Sequence, residues 1–151
     1  MSHHVSRRHF VHTLAAASLA PAAFAAGKSR DVKKAIMWGT IGVKGSVLEK
    51  MQAAKTAGFL GVEPMGGMDR EAVKAALKET GLKAASVCCH THWAKPLSAP
   101  DEPTRKVGYD GLVLSLQDAK EYGATSVLLV PGVVNDKVSY DDCFKRCVAE
   151  I

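Results

Sequence analysis

Three times in this chain a lysine, two further residues and a glycine are followed by an apolar run: Lys55 to Gly58, Lys78 to Gly81 and Lys120 to Gly123. Glycine accepts the left-handed backbone that closes a helix. Lysine in the last turn offsets the helix dipole. The spacing therefore predicts a helix ending, a short link and a buried strand, repeated along the chain. Short links between helices and apolar strands favour a parallel sheet wrapped by helices.

Taken in order, Ala35–Trp38 reads as a first strand, followed by the glycine-rich loop Gly39–Gly45. Ser46 with Glu49 predicts a capping box and a helix with Leu48, Met51 and Ala54 inward. Phe59–Glu63 is a second strand, and Asp69 caps a helix whose inner face is Val73, Ala76 and Leu77. Lys83–Cys89 is a third strand. A loop holding Pro96 and Pro100 leads to a helix from about Pro103, with Leu112, Leu116 and Ala119 as its stripe. Ser126–Val130 is the clearest strand. Ser139 caps a fourth helix bearing Phe144, Cys147, Val148 and Ile151. The fold class is thus α/β: the first four units of a (βα)8 barrel, which in full takes about 250 residues.

The first 25 residues stand apart. Arg7-Arg8 precede an apolar run, Val11–Ala20, and an Ala23-Phe24-Ala25 cleavage pattern, the order of a twin-arginine signal peptide. Residues 26–32 are expected to be a linker and 33–151 the half barrel, exported to the periplasm or beyond. The apolar run is too short for a stable membrane span. The net charge of +5 falls to about +3 without the leader and is evenly spread, which argues against nucleic acid. Four of the six histidines also lie in the leader, leaving His90 and His92. Cys88, Cys89, Cys143 and Cys147 lack CxxC spacing and read as free thiols, mostly buried. Neither GxGxxG nor GxxxxGK[ST] is present, nor GxSxG.

Chemistry is expected where the strands end, in the stretch Ser86–Ser98 above all. Glu63 closes an apolar strand, where a carboxylate is costly unless bonded or used. It is a candidate base or a group that orients sugar hydroxyls, the alternative being an acceptor for loop amides. His90 and His92, two apart, would share a face of an extended strand. His90 is assigned with Glu63 to catalysis, and His92 to substrate contact. Trp38 and Trp93 are candidates for an apolar wall under the carbon face of a sugar. Asn135 lies at the rim beyond the fourth strand, with a turn role as its alternative.

Three segments together resemble the xylose isomerase-like barrel superfamily, and within it the sugar phosphate isomerase/epimerase proteins related to tagatose 3-epimerase and hydroxypyruvate isomerase. They are Ala54-Lys-Thr-Ala-Gly-Phe-Leu-Gly-Val-Glu63, His90-Thr-His-Trp-Ala-Lys-Pro-Leu-Ser98 and Tyr122-Gly-Ala-Thr-Ser-Val-Leu-Leu-Val-Pro131. The resemblance spans about residues 33–151. It implies a small-molecule sugar substrate and a divalent metal, manganese or magnesium, held by two glutamates, an aspartate and a histidine. It also implies proton transfer beside a carbonyl through an enediolate. Such ligands come from later strands, beyond residue 151, so no metal ligand is assigned here. Glu63 and His90 match pocket-lining positions. Pro131-Gly132-Val133 after the fourth strand argues against the apurinic-site endonuclease branch, which has a histidine ligand there.

The expectation is an isomerase or epimerase fragment, inactive alone. The alternative is a non-catalytic, sugar-binding or self-pairing half barrel. Two exposed sheet edges invite such homo-oligomers, which sedimentation as a dimer would reveal.

Overall fold

The computed structural model describes residues 32–151; the expected signal peptide and all but the last residue of the expected linker lie outside them. The elements alternate as the repeat predicts. β1 (Ala35–Met37) runs into a 3-10 turn at Trp38–Thr40, then α1 (Val47–Thr56), β2 (Gly61–Glu63) and α2 (Arg70–Thr80). β3 (Lys83–Ala84) and β4 (Val87–Cys88) follow, then α3 (Glu102–Tyr122), β5 (Val127–Leu128) and α4 (Tyr140–Glu150). Every strand pair is parallel: β1 with β2, β2 with β3, β4 with β5. This is the (βα) barrel pattern in four units.

Local chemistry sets the helix ends. The Ser46–Glu49 capping box is complete, with Glu49 Oε2 accepting from Ser46 N at 2.7 Å. Asp69, Asp101 and Ser139 cap the other three helices through their side-chain oxygens. Gly81 and Gly123 take the left-handed conformation at φ +70° and +72°, which a side chain would strain. The first copy differs: Ala57 caps α1 and Gly58 carries the positive φ one residue later.

The expected third strand is broken by one extra residue. Lys83 N donates to Leu60 O and Ala85 N to Val62 O, so alternate residues face β2. Next toward β2 is Cys88, whose N donates to Pro64 O at 2.8 Å, while Val87 N and Cys89 N turn to Ser126 O and Leu128 O. This is a bulge at Ser86–Val87, and it hands the strand from β2 to β5. It also explains why Ala84 and Val87, three apart, share the helix-side core with Met51, Val62 and Val73.

Three expectations of burial are corrected. The buried face of α3 is not Leu112 and Leu116 but Gly108, Gly111, Ser115, Asp118, Ala119 and Tyr122. Small and polar residues are needed there because loops press directly on the helix. Only Val127 and Leu128 of the fourth strand are laddered, and on one side only, so Leu128 is 45% exposed. On α4, Cys147 is buried whereas Phe144 and Val148 are exposed, as is Ile151 just past its end. Among the described residues no helix is long and apolar enough to cross a membrane.

Candidate functional site

At the carboxyl ends of the strands lies a hollow of about 320 Å³, lined by Met37, Gly39, Met65, Cys88, His92, Trp93, Leu128 and Val130. β1, β2, β4 and β5 contribute through their last residues or the segments after them. The turn His90–Trp93 is set down on α3 by Thr91. A Cβ on Gly111 would strike the Thr91 side chain, so glycine there lets the turn approach the helix. Thr91 Oγ1 also donates to Gly108 O at 3.4 Å.

That docking fixes His92. Its ring is 4% exposed, and Nδ1 accepts the Val130 N–H at 3.2 Å. An amide donor at Nδ1 leaves the neutral ring's proton on Nε2. Burial holds its pKa below the usual histidine value, partly opposed by the Leu128 carbonyl. His92 therefore ties the turn to the edge strand as a neutral imidazole. Trp93 meets it edge-on, with ring centroids 5.3 Å apart, and stays 67% exposed as an apolar flank of the hollow.

The other candidates are placed differently. His90 and His92 do not share a face, because the chain turns at His90 instead of staying extended. His90 is exposed, its ring against Gly66 and Gly67 on the side where Leu114 and Ser115 of α3 pack. Glu63 is half-buried and pairs in register with Met37, and its charge is felt at Cys88. It borders the hollow through those two residues without lining it. Among the described residues no group donates to its carboxylate. Trp38 is not part of a wall with Trp93: it packs on the helix-side core, with Lys50 Nζ 4.6 Å from its ring centroid. Asn135 closes a turn, its Oδ1 accepting from Lys137 N at 2.9 Å.

One group the sequence reading passed over holds the rim in place. Asp118, 1% exposed, accepts from Gly67 N at 2.7 Å and from Arg70 Nε and Nη2 at 2.9 and 2.6 Å. It pins the loop between β2 and α2. A carboxylate one turn from Tyr122 and Ser115, on the stripe that also carries Ala119, is the signal that was available.

The donors at the hollow do not fit a hard divalent cation. Manganese and magnesium take carboxylate and water oxygens. Here the side chains are thioethers, a thiol and a histidine whose Nδ1 is committed. Burial pushes the Cys88 thiol up, and the Cys89 and Glu63 charges add to this. Among the described residues no three His, Cys, Asp or Glu side chains gather to hold an ion.

A family model described as xylose isomerase-like TIM barrel matches residues 51–151. No curated protein matches the sequence. Among solved structures, the chain is similar to a 3-keto-D-glucoside 4-epimerase from E. coli: TM-score 0.67, 23% identity, 79% of this chain and 49% of that one covered. It is also similar to a family 2 AP endonuclease from Brucella melitensis: TM-score 0.63, 19% identity, covering 78% and 47%. The chain thus spans about half the length of these structures.

Proposed function

The chain belongs to the xylose isomerase-like TIM barrel family, and on that premise we propose that it supplies the early-strand side of a sugar isomerase or epimerase pocket. The ligand is an unphosphorylated ketose. The observation that carries this is the strand-end hollow itself. At about 320 Å³ it is at the small end for ligand pockets. Its floor of Met37, Cys88 and Leu128 and its Trp93 flank suit the carbon face of a sugar. Among the described residues no lysine or arginine lines it, so they offer a phosphate or a nucleic acid no cation there. The sugar epimerase among the structural neighbours supports the same class.

Glu63 is the acid–base group of this half. With no donor from the described residues, its carboxylate is free to accept from a sugar hydroxyl or take the proton beside the carbonyl. The side chains that line the hollow do not fit a divalent ion.

The test uses the chain's two tryptophans. Titration with D-fructose is expected to change the fluorescence of the wild-type chain and of Trp38→Phe, and to leave Trp93→Phe silent. A response that follows Trp38, or that needs fructose 6-phosphate, would overturn the reading.

A further inference from the structure

The fourth helix carries two thiols that the sugar pocket does not use. Cys143 and Cys147 lie one turn apart on α4, and both sulfurs point at Gly132. A Cβ on Gly132 would strike Cys143 Sγ and Cys147 Sγ first, and then Ser98 Cβ at 3.0 Å. The absent side chain is what gives the two sulfurs a common space. The Cys147 thiol donates to Pro131 O at 3.2 Å. Cys147 also lines an apolar groove of about 440 Å³ with Pro131, Phe144, Val148 and Ile151, which gives a way in.

Two neighbouring thiols have two common fates, a disulfide or a shared metal. A disulfide needs Cβ atoms about 3.5–4.5 Å apart. Positions i and i+4 of a helix hold them at about 5–6 Å, so closing the bond would unwind a turn of α4. A bridging metal with bonds of about 2.3 Å to each sulfur spans the longer gap. Thiolates select soft cations. With no third His, Cys, Asp or Glu gathered there among the described residues, the site is two-coordinate, which is too few ligands for tetrahedral zinc.

We propose that Cys143 and Cys147 form a two-thiolate site for a soft monovalent cation of the Cu(I) or Ag(I) class, opened by Gly132. On binding, two S–H bonds break, two sulfur–metal bonds form, and two protons leave to solvent. The bound site carries one net negative charge. A cation is anchored to the same segment: the Arg146 guanidinium donates to Ser98 O at 3.1 Å, and the Ser98 Cβ faces Gly132. Because two protons leave on binding, binding weakens as pH falls.

The test titrates the reduced chain with Ag(I) in chloride-free buffer, read by native mass spectrometry and by maleimide mapping of the four cysteines. One tightly held silver per chain is expected, appearing in the mass as one silver in place of one proton at each charge state, with Cys143 and Cys147 protected from maleimide. Cys143→Ser and Cys147→Ser should each weaken binding by roughly 100-fold, since a lone thiolate loses its chelate partner. Protection falling on Cys88 and Cys89 instead, unchanged affinity in either serine variant, or no bound silver would overturn the proposal. The maleimide map uses the unaltered chain, so it decides even where a variant fails to fold.

Discussion

Replacing Asp118 with alanine is expected to lower the stability of the chain by about 2–3 kcal/mol, the largest loss from any single polar residue at the rim. The carboxylate is buried and accepts three donors, from Gly67 and both arms of Arg70. Its removal strands the Gly67 N–H and takes away the partner of the guanidinium. Breaking a fully buried pair costs about 3–5 kcal/mol. The Arg70 side chain is 38% exposed, so it regains water and the cost falls to the lower end. Asp118→Asn keeps an acceptor for Gly67 and should lose about half as much. Urea unfolding of both variants checks the order; a loss below about 0.5 kcal/mol in the alanine variant would mean the loop is held by other contacts.

The second large effect concerns His92 and pH. Its folded pKa is below the ordinary value of 6.5 because the neutral ring is buried. Between the two values the unfolded chain binds the extra proton. The stability that His92 contributes is therefore complete above about pH 6.5 and declines as pH falls through the folded value. His92→Phe keeps the ring volume but leaves the Val130 N–H without its acceptor, costing about 1–2 kcal/mol near neutrality. The variant should also lose the part of the acid destabilisation that His92 causes. Thermal unfolding from pH 8 to pH 5 measures both. A wild-type curve that rises toward acid, or a variant as acid-sensitive as the parent, would show that the ring is not held neutral.

The readable part of this fold was the part written in local chemistry. Lys55, Lys78 and Lys120 with their glycines, the Ser46–Glu49 box and the caps at Asp69 and Ser139 all act within a few residues, so the helices fell where the spacing put them. The barrel class followed from their order, and the family resemblance from the segments Ala54–Glu63, His90–Ser98 and Tyr122–Pro131. What could not be read depends on contacts between distant segments. Ser86–Val87 carries an extra residue only because the strand changes partners from β2 to β5. The alternation that paired His90 with His92 assumes an extended chain, and the chain turns at His90 because Thr91 docks on Gly108 and Gly111. Trp38 was assigned by its place at a strand end, but the 3-10 turn sends it to the helix side under Lys50. For Asp118 the helical spacing marks only a carboxylate on a stripe with Ser115, Ala119 and Tyr122; its role shows only when Gly67 and Arg70 arrive from another part of the chain.

The central claim is that the strand-end hollow, and no other surface of this chain, receives a small neutral sugar. Backbone amide NMR during a titration with D-fructose tests it most directly. The account predicts shifts that saturate together at Met37, Gly39, Met65, Cys88, His92, Trp93, Leu128 and Val130, with Glu63 among those that move. Shifts confined to Lys33, Lys34 and Lys83 at the opposite ends of the strands, or to Phe144 and Val148 on the fourth helix and Ile151 at its end, would contradict it.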